Sequence, residues 1–182
     1  MTNHLALDQS AGPLTLHTGR SGVGSKVGHD LTLQVGTWTA NAMLDGSGAV
    51  TAVRFIASLR SLEVLRGDGG LKPLSDKDKR TILDNAAQTL KAASDPELVF
   101  TATDLNVVEG TTTIVGEASL AGQTQPLTVE LTVTRSGSQA NVSARAEVVQ
   151  SHFGIKPYSG MLGALKVRDM VEVRAELAVK MG

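Results

Sequence analysis

A chain of 182 residues is long enough to bury roughly two-thirds of its unfolded surface around one core, so one domain spanning residues 1–182 is expected, and the absence of cysteine excludes a disulfide framework. Seventeen lysines and arginines against eighteen aspartates and glutamates, net −1 and without blocks of one sign, leave no footprint for a nucleic-acid backbone. No run approaches the ~18 apolar residues of a membrane helix, which limits membrane contact to the periphery. The first thirty residues, with Asp8, His17, Arg20 and Lys26, contain no apolar run of signal-peptide length, and the expected compartment is the cytoplasm.

From Pro13 onward apolar residues recur at every second position, the period of strands with one buried face. Leu14 and Leu16 open the series. Leu31, Leu33 and Val35 share a face, and the parity then changes to Trp38, Ala40, Ala42 and Leu44, which predicts a bulge near Gly36-Thr37. Asp45 to Gly48 reads as a hairpin turn, after which Val53, Phe55, Ala57 and Leu59 alternate with polar neighbours. Arg66 to Gly70 reads as a flexible hinge by composition. Beyond it the period becomes helical: Ser75 and Asp78 form a variant capping box, and Ile82, Leu83, Ala86 and Leu90 lie on one face of an amphipathic helix near 76–92. That stripe is too narrow to be a core, so the helix is expected on the surface or across one end of the strands.

Alternation resumes with Leu98, Phe100 and Ala102, then Ile114, Ala118 and Leu120, then Leu127, Val129, Leu131 and Val133. Ala140 to Val148 and Val171 to Val179 supply the last two inward stripes. About eight strands joined by tight turns predict an antiparallel barrel of up-and-down type, although a two-sheet sandwich has the same period. Between the last two strands, Gln150 to Ser159 is a crossover, and Met161 to Asp169 is an apolar, glycine-punctuated loop that needs something to cover.

Four segments in order resemble the YceI-like family of lipocalin-like barrels. They are Ser94 to Thr103, entered from the helix, the hairpin Val115 to Leu127, the crossover His152-Phe153-Gly154-Ile155, and the final strand from Val167 to Val173. The resemblance implies an all-β barrel that binds a polyisoprenoid. The chain departs from the family's pattern at Thr18 to Gly22, where many members carry a histidine, and in an aromatic content of only 3%.

The remaining chemical signals are weak. Gly19 and Gly24 have phosphate-loop spacing, but Ser25-Lys26 reverses the required order. His4, His17, His29 and His152 lack metal-ligand spacing, and His29-Asp30 with His152 reads best as a hydrogen-bonded polar plug at one barrel end. With no nucleophile motif and no inward carboxylate pair, no enzymatic activity and no cofactor beyond a bound isoprenoid lipid are expected.

The inward stripes instead hold many alanines, Ala40, Ala42, Ala57, Ala102, Ala118, Ala144, Ala146 and Ala175, beside a few large residues. An eight-stranded barrel either fills with side chains or holds one small ligand, and alanine walls leave room. The candidate ligand contacts are Trp38, Phe55, Phe100, Ala118 and Leu131 within the barrel, and Phe153, Met161 and Leu162 on the apolar loop. The expected function is non-enzymatic carriage of an elongated apolar lipid, of polyisoprenoid or isoprenoid quinone type, with an apolar small molecule as partner and a homodimer allowed. The alternative is a stress-response or protein-interaction scaffold with a filled core.

Overall fold

The structure, a computed structural model, describes residues 3–181. In chain order its strands are β1 (Asn3–Asp8), β2 (Leu14–His17), β3 (Arg20–Ser21), β4 (His29–Val35), β5 (Trp38–Leu44), β6 (Val50–Ser58) and β7 (Leu62–Gly69). Helix α1 (Asp76–Thr89) follows, then β8 (Glu97–Ala102), β9 (Gly110–Leu120), β10 (Gln123–Ser136), β11 (Gln139–Val149), β12 (Ser159–Gly160), β13 (Leu165–Val167) and β14 (Met170–Lys180).

Eleven strands form one antiparallel sheet in the order β1-β5-β6-β8-β9-β10-β11-β14-β2-β4-β7, and β12-β13-β3 form a second, small sheet. The large sheet is built from eight chain segments, because β1 with β2, β4 with β5, and β6 with β7 are each one extended run broken at a corner. This reconciles eleven strands with the eight that the alternation predicts. It also shows how the sheet curls: β4 and β5 lie near its two ends, yet only Gly36 and Thr37 separate them in the chain.

The corner sits where the parity change predicts it. Val35 pairs with Leu62 and Trp38 with Ala57, so Leu59 to Ser61 bulge out opposite Gly36-Thr37. Ser61 holds the bend: its carbonyl accepts the Gly36 N–H at 2.9 Å and its hydroxyl accepts the Thr37 N–H at 2.9 Å. Each bent backbone group thereby keeps a partner.

Helix α1 begins on the expected capping box, with the Asp78 N–H donating to Ser75 Oγ at 3.1 Å and the Ser75 N–H to the Asp78 carboxylate at 2.9 Å. It ends at Thr89 and not near residue 92, because Lys91 turns to a left-handed φ of 55° and Ala92 is drawn into the core at 2% exposure. Arg60 binds this end to the barrel corner, donating to the carbonyls of Ala92 and Ala93 at 3.0 Å each, a cation where the helix dipole favours one.

The composition-based hinge is a correction. Gly69 and Gly70 have φ of +82° and +73°, and a Cβ on either would strike the Arg20 guanidinium or the His29 ring. These glycines are there for close packing of two side chains against backbone, and the segment is pinned.

On the outer face of β14, Glu172 is only 8% exposed and accepts hydrogen bonds from Arg145, whose Nε stands at 2.8 Å, and from Arg174. Burial pushes its carboxyl up, but the hydrogen bonds and charges of Arg174 and Arg145 more than reverse this, so it ionises below the ordinary glutamate range. A carboxylate with a depressed folded pKa contributes stability that is complete above its unfolded value, about 4.3, and is lost as pH falls through the folded value. Glu172→Gln should therefore melt below the wild type at neutral pH, with the gap narrowing in thermal scans at progressively lower pH below about 4; a gap independent of pH would mean the ion cluster contributes nothing through its charge.

Candidate ligand-binding site

The curled sheet encloses two apolar spaces that meet at a waist. The smaller, about 260 Å³, lies between β5, β6, β8 to β11 and β14, with β1 supplying Leu5 and Leu7. The larger, about 670 Å³, lies between β2, β4, β14 and helix α1, and the small sheet folds over it. Leu14, Phe55, Leu98, Val148 and Val173 border both spaces and form the waist. Trp38 stands on the smaller side, its ring centroid 5.9 Å from that of Phe55. Its indole N–H is buried with no acceptor among the described residues.

The parity bookended by the Gly36-Thr37 corner creates this division. Leu31, Leu33 and Val35 line the larger space, and Trp38, Ala40, Ala42 and Leu44 the smaller, so one continuous strand presents the same inward face on both sides of the bend. Without the extra residue at the corner, one half would turn its apolar stripe to solvent.

Helix α1 closes the larger space as an end-cover. Ile82, Ala86 and Leu90, three of the four residues of its predicted stripe, face the cavity. The small sheet supplies Leu165 and Val167 from the other side. It is anchored through glycines: the Gly24 N–H donates to the Ala164 carbonyl at 2.8 Å, and a Cβ on Gly22 would stand 2.4 Å from that same oxygen. The glycine run that resembles a phosphate loop is therefore a packing corner for the apolar loop, and Arg20 beside it is bonded to the Gly28 carbonyl and lies 3.6 Å from Asp30.

Of the candidate contacts, Trp38, Phe55, Phe100 and Leu131 do line the lumen. Ala118 does not. It is fully buried in a packed cluster with Phe100, Ile114 and Leu120, and borders neither cavity. Phe153, 2% exposed, belongs to the same packed cluster with Ile155, and acts as a plug anchored by Gly154 in the left-handed region at φ 67°. Met161 and Leu162 lie outside, 60% and 109% exposed. The alanines divide likewise: Ala40, Ala42, Ala144, Ala146 and Ala175 line the smaller space and Ala57 the larger, whereas Ala102 is packed. The alternation missed Leu5, Leu7 and the flap residues Tyr158, Leu165 and Val167.

Arg135 and Arg145 border the smaller space, and a larger set of polar groups lines the open side of the larger one. Leu71, Lys72, Lys77, Tyr158 and Lys166 are exposed members of its lining and mark where it reaches solvent. His29 is bonded there through Nε2 to the Lys72 carbonyl, at 2.8 Å, while His152 is exposed on the crossover and borders neither cavity. No group of three histidines, aspartates or glutamates among the described residues stands close enough to hold a metal.

The model of the YceI-like domain matches residues 14–179. The chain belongs to the YceI-like family. The shape agrees: BcnA of Burkholderia cenocepacia superposes with a TM-score of 0.67 at 14% identity, over 94% of this chain and 98% of that one. The YCEI protein of Campylobacter jejuni gives 0.57 at 13% identity, over 82% and 84%. A mutant described as a CJ YCEI protein with a monobromobimane guest gives 0.61 at 12% identity, over the same shares. No curated protein matches the chain in sequence. At such identities the likeness to solved structures is one of fold.

Two alanines on one YceI-like scaffold separate open lumen from packed core. Ala118→Phe should overpack and cost about 1–3 kcal/mol, read as a clear loss of melting temperature. Ala57→Phe places the same ring toward the larger cavity and should leave the melting temperature of the empty protein within a few degrees. Equal destabilisation by the two would mean that the larger space collapses in solution.

Proposed function

We propose that this protein is a non-enzymatic carrier that holds an elongated apolar lipid, of polyisoprenoid or isoprenoid quinone type, in the larger cavity with its chain reaching past the waist. The observation that carries the reading is the space itself: about 670 Å³, mostly apolar and open to solvent on one side, in a chain of 182 residues. A cavity of roughly 150 Å³ takes one six-carbon ring, so this one has room for about four units of that size. At ~0.8 kcal/mol per buried CH₂, a five-carbon unit contributes at most about 4 kcal/mol gross, and two or three buried units approach micromolar affinity after the cost of association. The volume and the energy therefore agree on a ligand of several isoprene units.

Membership of the family supports the same class of ligand, and the lining supports an elongated molecule over a compact one, because the two spaces lie next to each other and share the side chains of the waist. The polar groups at the mouth leave room for a ligand whose polar end stays near solvent.

Trp38 is the only tryptophan in the chain and lines the smaller space beside Phe55 of the waist, so its emission reports on a ligand that reaches past the waist. Titration of delipidated protein with a long-chain isoprenoid quinone should quench that emission saturably, with a dissociation constant in the micromolar range or tighter. Ala57→Phe should weaken the binding at least tenfold. Emission unchanged at saturating quinone, together with no co-elution of quinone on gel filtration, would sink the carrier reading.

A further inference from the structure

We propose that the face around the mouth of the larger cavity is a docking surface for an anionic lipid bilayer. Three loops meet there, spanning residues 22–28, 69–77 and 158–166. Their adjacency is fixed by contacts already described, Gly24 on the Ala164 carbonyl and Gly70 against His29, and by Leu165, whose methyl would stand 2.5 Å from a Cβ on Gly28. Each loop carries a large apolar side chain outward. Val23 is 96% exposed, Leu71 80%, Met161 60% and Leu162 109%.

Single exposed apolar residues are ordinary on protein surfaces, but several around one opening are the mark of an interaction surface. The backbone reinforces the point. Met161 and Leu162 are not glycines, yet both take left-handed φ, 50° and 55°, in a turn closed by the Ala164 N–H on the Met161 carbonyl at 3.1 Å. That conformation is disfavoured for branched and bulky side chains, and here it holds the Leu162 side chain in solvent.

The charge on the same loops selects the partner. They contain Lys26, Lys72, Lys77 and Lys166 against Asp76 and, one residue beyond at the same mouth, Asp78, in a chain of formal net charge −1. None of the four lysines makes an ion pair among the described residues. Apolar tips interleaved with unpaired lysines around a dry opening suit a surface with negative head groups above and hydrocarbon beneath. A lipid could then pass between bilayer and cavity without crossing water. That consequence rests on the carrier reading; the docking itself does not.

The test is flotation with vesicles of phosphatidylcholine alone and of phosphatidylcholine mixed equally with phosphatidylglycerol. The intact chain should float with the anionic vesicles, release as salt is raised, and bind the neutral ones weakly. Leu162→Asp with Val23→Asp, both fully exposed positions, should abolish flotation with an unchanged melting temperature. Lys72→Glu with Lys166→Glu should weaken it by at least about fivefold for each lysine replaced. Met43→Asp, an exposed position on β5 in the other half of the sheet, should change nothing. Absence of flotation by the intact chain, flotation that survives the tip variants, or equal loss in the Met43 variant would each overturn the proposal. Quinone binding, measured in parallel without vesicles, keeps the two readings apart: its loss with docking intact would overturn the carrier alone.

Discussion

The bend of one long hairpin at Gly36-Thr37, opposite Leu59 to Ser61, is the constraint on which the other features depend. Strands β4 and β5 would continue straight, and the sheet would stay open, unless the backbone turned there and still found partners for its N–H groups. Ser61 supplies both, one through its carbonyl and one through its side chain, and its hydroxyl in turn donates to the Ser58 carbonyl at 2.8 Å. Gly36 is small enough for the approach, since a Cβ there would already stand 3.0 Å from the Ser61 oxygen. The corner also shifts the parity by one, so that both arms keep their apolar face inward. Arg60, in the same bulge, reaches the end of helix α1 and sets the cover over the larger space. Curl, inward lining and end-cover thus share one short stretch of chain.

Much of this was legible because alternation is a strong signal where strands are long and one-sided. The parity change at Gly36 identified the corner, and Ser75 with Asp78 identified the start of the helix. Other elements escaped for definite reasons. In β7 the register skips at Leu65 between Thr32-Arg66 and Leu33-Val64, which breaks the period, and β12 and β13 are too short to have one. Strand β1 carries only Leu5 and Leu7 inward, two residues where a pattern needs three or four.

Periodicity also tells inward from outward without telling cavity from core. Ala57 and Ala118 read alike in the sequence. They differ because Phe100 lies over Gly116, whose absent side chain leaves 2.6 Å between a hypothetical Cβ and the ring, so the level of Ala118 is filled by an aromatic from the neighbouring strand. Ala57 pairs with Trp38 across the strands and is buried beside it, yet it still borders the larger cavity, which Ala118 does not. Phe153 carries the same lesson: its burial follows from Gly154, whose left-handed turn folds the crossover back onto the packed end of the barrel. Glycine placement, more than alanine content, decides where this lumen is open.

A lipid in the larger space is what a carrier of this kind must hold. Native mass spectrometry of the intact chain purified from cells addresses this most directly, followed by extraction of the same sample into organic solvent. The expected spectrum carries one apolar adduct in near-stoichiometric amount, with a mass corresponding to several isoprene units and lost on extraction. A spectrum of the bare chain, unchanged after incubation with prenyl alcohols and isoprenoid quinones, would contradict it.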